Sequence, residues 1–99
     1  MAGSEMDPLG AEPQAILGAA DFNNARVLEI GSGDGRLTFR YARKSLSAVG
    51  IDLKQPEILS AVRNCSADLR SRVRFARASA ATLPFRDEVF DIVLLASAL

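Results

Sequence analysis

Val27-Leu-Glu-Ile-Gly-Ser-Gly-Asp-Gly-Arg36 is the stretch on which the reading of this chain turns. The apolar run from Ala25 to Ile30 stops at the first of three glycines set at alternate positions, and so reads as a buried strand. Glycine there permits positive φ and leaves no Cβ between a ligand and the backbone. If a helix follows, its first N–H groups and positive dipole end favour an anionic group such as a phosphate or a carboxylate. A tight strand-to-helix turn that binds nothing would use the same glycines. Glu29 weighs against that alternative, because an ionised carboxylate within an apolar strand is costly unless a partner or ligand meets it. It also stands near the carboxyl end of the strand, where open α/β sheets bind their ligands.

Outward from this loop, the periodicity changes. From Arg36 to Lys44, Leu37, Phe39, Tyr41 and Ala42 recur at helical spacing, with cations gathered toward the end. Leu46 to Ile51 is strand-like and is closed by Asp52. Pro56 opens an amphipathic helix in which Ile58, Ala61, Val62 and Cys65 share a face, so Cys65 reads as a small core residue. Val73 to Ala78 alternates, with Val73 and Phe75 on one face and Arg74 toward solvent. A loop through Thr82-Leu-Pro-Phe85 and Arg86-Asp-Glu88 leads to Val89–Leu95, an almost continuous apolar run that reads as a strand covered on both faces. Alternating strands and helices predict an α/β layer fold with a parallel sheet and right-handed crossovers. On the amino-terminal side, residues 1–12 read as a flexible lead-in and Pro13 to Ala20 as a short helix using Ile16 and Leu17. The break after it falls at Asp21-Phe-Asn-Asn24.

Asp52 ends the second predicted strand, 19 positions after Gly33 (52 − 33). An acid at that point can accept both hydroxyls of a ribose, though capping the next helix is the simpler role open to it. The spacing G-x-G-x-G differs from a dinucleotide fingerprint, which requires glycine where Arg36 stands, and Asp34 to Arg36 exclude a phosphate-binding loop ending in G-K-[ST].

In four places and in order, the residues resemble the class I S-adenosylmethionine-dependent methyltransferases, in particular the small-molecule branch that includes the ubiquinone and menaquinone biosynthesis enzymes. The motifs are Val27 through Gly35, Val49-Gly-Ile-Asp52, Leu83-Pro-Phe85 and Phe90-Asp-Ile-Val93. The resemblance implies a Rossmann-like sheet, strand order 3-2-1-4, with helices on both faces. It implies S-adenosylmethionine as cofactor, with Gly31, Ser32 and Gly33 packed against its methionine moiety and Glu29 near the amino group, often through water. Asp52 would hold the ribose hydroxyls, Leu53 would lie against the adenine face, and Ala80 would offer its N–H to the ring. Many relatives place an acid four residues before the leucine of Leu-Pro-Phe; here Ser79 stands there, an uncharged acceptor. Leu83, Pro84, Phe85 and Phe90 would pack the loop and the fourth strand, Asp91 would bond backbone at that strand's start, and Arg77 and Arg86 would be solvent-facing charges.

Composition bounds what such a chain does. Twelve Lys and Arg balance twelve Asp and Glu over 99 residues, 48% hydrophobic, which suits one ordinary domain and disfavours disorder. There is no histidine and one cysteine, so within these residues neither histidine acid-base chemistry, a disulfide nor a Cys/His metal site is available. Mixed charge argues against a nucleic-acid surface, and the absence of a signal-like start or long apolar run points to the cytoplasm. Methyl transfer from a sulfonium needs alignment more than acid-base groups. Residues 13–99 are thus expected to form the cofactor-binding part of a methyltransferase, stopping after the fourth strand, with acceptor recognition outside it and no catalytic residue inside it. The acceptor is expected to be a small molecule or lipid, and the fourth strand, left at a sheet edge, is expected to self-associate. A nicotinamide-type half-domain and a binding module without turnover are the alternatives.

Overall fold

Two parallel strands form the centre of the molecule: β1 (Arg26–Ile30) and β2 (Ser47–Asp52), paired with Leu28 opposite Val49 and Ile30 opposite Ile51. β3 (Val73–Arg77) lies outside β2, and β4 (Ile92–Leu95) lies outside β1, giving the order β3-β2-β1-β4. Between β1 and β2 runs the short helix α1 (Thr38–Tyr41); α2 (Gln55–Asn64) and a 3-10 turn, Ala67–Leu69, connect β2 to β3. The computed structural model describes residues 21–82 and 89–96. The lead-in over 1–12, the helix over 13–20, Leu83, Pro84, Phe85 and Arg86 lie outside the described residues, so those expectations are not addressed by it.

The central strands are apolar because each of their sides is occupied: Val27, Ala48, Val49 and Ile51 have no exposed surface. One face of the sheet gathers Val27, Ala48, Val73 and Leu94 with Tyr41, Ala42, Cys65 and Leu69, which seats α1 and the end of α2 on that side. The opposite face gathers Leu28, Val49 and Ile51 with Ile30, Ala76, Ala78 and Phe90, and no described helix residue joins it. Phe22, just before β1, stacks on Tyr41 with centroids 4.6 Å apart.

Three sequence expectations need correction. The helix read from Arg36 to Lys44 is regular only over Thr38–Tyr41, because Gly35 at φ 90° precedes it and tighter i→i+3 bonds from Lys44 and Ser45 close its far end. On α2, Ile58, Ala61 and Cys65 are buried as read, but Val62 is half exposed. The buried stripe centres between Ile58 and Ala61, which leaves Val62 on the rim beside exposed Leu59. The fourth strand, read as covered on both faces, begins at Ile92 and buries Leu94, while Val93 is 46% and Leu95 43% exposed. Asp91 does bond backbone at its start: its N–H donates to the Arg26 carbonyl (2.8 Å), and its Oδ2 accepts the Arg26 N–H (2.8 Å). The Arg26 guanidinium closes the same pair and holds the Asp91 carboxyl below the usual carboxylate range.

Candidate cofactor site

All three glycines of the β1–α1 loop adopt positive φ: Gly31 at 79°, Gly33 at 57° and Gly35 at 90°. At Gly35 a Cβ would stand 2.8 Å from two ring carbons of Phe39, so that position is fixed by packing as well as by φ. Gly50 in β2 has a matching role, since a Cβ there would meet Phe75 and the Ser32 side chain at 2.8 Å.

Four of the loop's N–H groups are directed inward. Those of Gly31 and Ser32 donate to the Ile51 carbonyl (2.8 and 3.0 Å), that of Gly33 to Asp52 Oδ2 (2.9 Å), and that of Gly35 to the Ser32 carbonyl (3.1 Å). These four donors are satisfied within the chain and are not free to cradle an anion, and α1 is too short to add a substantial dipole. What the loop presents instead is a bare backbone surface, held against β2 by Asp52. The other oxygen of that carboxylate, Oδ1, accepts the Lys54 N–H (2.9 Å) just ahead of α2. Asp52 thus fixes both the loop and the entry to α2, and each of its oxygens retains a lone pair for a further donor.

Two clefts meet at Gly31. The smaller, about 300 Å³, is lined by Ile30, Gly31, Ile51, Asp52, Leu53, Ala78, Ser79 and Ala80 among others. Leu53 is 64% exposed at its mouth, and its carbonyl accepts a hydrogen bond from Arg77 Nε (3.0 Å); Arg77 is solvent-facing, as expected, and also supports this carbonyl. Ser79 Oγ pairs with Thr82 Oγ1 at 2.9 Å. The larger cleft, about 620 Å³, is lined by Glu29, Gly31, Ser32, Gly33, Asp34, Arg36, Arg40 and Glu57 among others. Each of the eight residues expected at the site, Glu29, Gly31, Ser32, Gly33, Asp52, Leu53, Ser79 and Ala80, lines one cleft or the other.

Glu29 is fully buried at the larger cleft. Its Oε1 accepts hydrogen bonds from Tyr41 OH (2.7 Å) and Thr38 Oγ1 (2.8 Å). Its Oε2, like the buried Ser32 Oγ, has no partner. Burial drives the Glu29 carboxyl up to about 7, against the opposing pull of the bonds from Tyr41 and Thr38. Burial, with the Glu29 charge beside it, also raises the Tyr41 hydroxyl. Sequence reasoning took Tyr41 for core alone and passed over Thr38. The available signal was two hydroxyls three residues apart on the helix that follows the loop, facing back toward the acid. Among the described residues no group of His, Cys, Asp or Glu could hold a metal ion, and no helix is long and apolar enough to cross a membrane.

A parallel sheet in this order, with a glycine loop and acids at the carboxyl ends of its first two strands, defines an α/β protein with clefts above β1 and β2, at the end of the sheet where such folds bind ligands. The chain belongs to the methyltransferase domain family, whose model matches residues 27–99. An uncharacterized protein of Mycobacterium tuberculosis is 31% identical over 97% of this chain and 34% of its own length. The chain therefore spans about a third of that relative. Among solved structures, an RNA methyltransferase of Salinibacter ruber in complex with S-adenosyl-L-homocysteine is 26% identical, with a TM-score of 0.71, over 84% of this chain and 55% of that one. The cyclase SpnF is 31% identical, with a TM-score of 0.62, over 72% of this chain and 27% of that one.

Proposed function

We propose that this chain binds S-adenosylmethionine and forms the cofactor-binding part of a cytoplasmic methyltransferase acting on a small-molecule or lipid acceptor, of the kind found in the ubiquinone and menaquinone branch. The observation that carries this reading is the pair of clefts meeting at Gly31. One offers an acid and an exposed leucine to a nucleoside, and the other offers unpartnered buried oxygens to a polar tail. The donor set fits the cofactor: Asp52 has acceptor capacity for ribose hydroxyls, Leu53 gives an apolar platform for a base, and Ser79 and Ala80 stand where its edge would fall. Glu29 and Ser32 would meet the amino-acid end. The bound relative from Salinibacter supports the same ligand class.

When bound, S-adenosylmethionine supplies a methyl group already activated by its sulfonium, so acid-base residues are not the protein's main contribution. Asp52 and Leu53 orient the nucleoside, and the satisfied glycine loop gives a rigid surface against which alignment is held. The inward-facing amides count against a dinucleotide, whose pyrophosphate requires free N–H donors at this loop. Isothermal titration of the full chain with S-adenosylhomocysteine and, separately, with NAD tests the choice. Binding of the first and not the second is expected, and the reverse would overturn the reading. Radiolabelled methyl transfer to a panel of small molecules and lipids then addresses turnover, and bound cofactor without transfer to any of them would reject the enzymatic part.

A further inference from the structure

The alternation of β1 puts Glu29 on the same face as Val27, beneath α1. Thr38 and Tyr41 stand three residues apart on that helix, so both meet the acid from one side, and both are buried. Each hydroxyl donates to the same oxygen, Oε1, at 2.8 and 2.7 Å. Donors placed only to satisfy a buried carboxylate would be divided between its oxygens. Here Oε1 takes two, and Oε2, on a residue that lines the larger cleft, takes none. The last torsion of a glutamate is broad and two-fold, so the pair of hydroxyls selects one orientation of the group. Tyr41 is itself held from behind: its ring stacks on Phe22, with the planes 21° apart. A turn fixes Phe22 in turn. The Ala25 N–H donates to the Phe22 carbonyl (3.1 Å), the Asn24 N–H donates to the Lys44 carbonyl just past α1 (2.8 Å), and Asn24 takes a positive φ of 56° to do so.

We propose that Tyr41 and Thr38 are positioning residues for ligand selection: they hold the Glu29 carboxyl with one oxygen left for a donor on the ligand's tail, and Phe22 keeps the Tyr41 ring in place for this. The inference rests on the cofactor reading and extends it to residues that the ligand does not touch, since neither Thr38 nor Tyr41 lines either cleft. The turn from Phe22 to Ala25 fixes the ring, the ring fixes the hydroxyl, and the two hydroxyls fix the acid. An orientation fixed before the ligand arrives spares the cost of ordering that side chain on binding. Because the effect passes through one carboxyl, it falls on ligands with an amino-acid tail and spares those that stop at the thioether of the nucleoside.

Titration calorimetry of the full chain compares S-adenosylhomocysteine with 5′-methylthioadenosine, which keeps the nucleoside and lacks the amino acid. Tyr41→Phe keeps the ring stack and Thr38→Val keeps the volume. Each should weaken S-adenosylhomocysteine about tenfold and leave 5′-methylthioadenosine unchanged. Thr38→Ser, which retains the hydroxyl, should bind both ligands as the unaltered protein does, and Phe22→Leu, which removes the stack, should lose part of the affinity for S-adenosylhomocysteine alone. In a Glu29→Ala background Tyr41→Phe should have no further effect, since no carboxyl is left to orient. Urea unfolding checks that each variant is folded, and Tyr41→Phe and Thr38→Val are independent, so either carries the test. Equal losses for both ligands, or no loss for either, make the hydroxyls structural only and overturn this inference while leaving the cofactor reading intact. A Tyr41→Phe effect that persists without the Glu29 carboxyl overturns it too. Failure of S-adenosylhomocysteine to bind the unaltered protein refutes the cofactor reading itself, and this inference with it.

Discussion

Glu29→Gln is predicted to stabilise the ligand-free protein, and by an amount that depends on pH. In the folded chain the Glu29 carboxyl is raised from 4.5 to about 7, chiefly by burial. The sign follows from proton counting: between those values the folded state keeps a proton that the unfolded state has lost, so stability falls as pH rises through this window. Below about 4.5 both states are protonated and no penalty exists; above about 7 it is complete and constant. The difference between those two values corresponds to about 3 kcal/mol. Glutamine keeps an oxygen for Tyr41 and Thr38 and places an uncharged amide where Oε2 stands. It therefore imitates the protonated acid, including its unpartnered buried edge. Urea unfolding of the full chain and of Glu29→Gln, followed by circular dichroism across pH, gives the comparison. The two should agree within about 1 kcal/mol near pH 5 and separate to about 3 kcal/mol in favour of the variant near pH 8. Subtracting the curves removes other titrating groups such as Asp91. Parallel curves, or a variant that is less stable at the higher pH, would refute the account of a buried, uncompensated acid.

The loop glycines should separate by cause. Gly35→Ala meets both a positive φ and the ring of Phe39 at 2.8 Å, and should cost roughly 2–4 kcal/mol of stability in denaturant unfolding; Gly33→Ala meets the positive φ without a clash, its nearest neighbour Glu57 Oε2 standing at 3.4 Å, and should cost about 1 kcal/mol. Asp52→Ala removes both the tether to Gly33 and the acceptor for ribose, and calorimetry with S-adenosylhomocysteine should show binding weakened by roughly 1–3 kcal/mol; unchanged affinity would remove Asp52 from the site. Asp91→Asn should loosen the start of β4 at neutral pH. Because Arg26 depresses the Asp91 carboxyl, the native advantage exists above the ordinary carboxylate range and is lost as pH falls below it, so thermal unfolding of the two proteins should converge in acid.

Much of this arrangement was legible in the chain. Strand periodicity, the glycines at 31, 33 and 35, and the acids at 29 and 52 are local features, and the resemblance added the order in which the strands pair. The buried positions of β1 and β2 follow from the same apolar runs. Legibility declined where a side chain's fate depends on a neighbour distant in sequence. Val62 shares helical spacing with Ile58, yet its exposure is set by which edge of α2 turns to the sheet. Val93 and Leu95 belong to an apolar strand but have β1 on one side only.

The glycine loop shows the division most clearly. Sequence alone determined that the backbone there takes conformations few other residues accept, because φ preference is a property of the residue itself. It also determined that two acids end adjacent strands. Only the tertiary structure decided where the loop's amides point: Ile51 and Asp52 lie alongside in β2 and take the donors that an anion would otherwise need. Likewise the chain specifies a glutamate in an apolar strand, while the crossover that lays α1 over β1 brings two hydroxyls to one of its oxygens and leaves the other bare. Torsional preference is carried by each residue, but desolvation and hydrogen-bond satisfaction belong to the set of atoms that folding brings together.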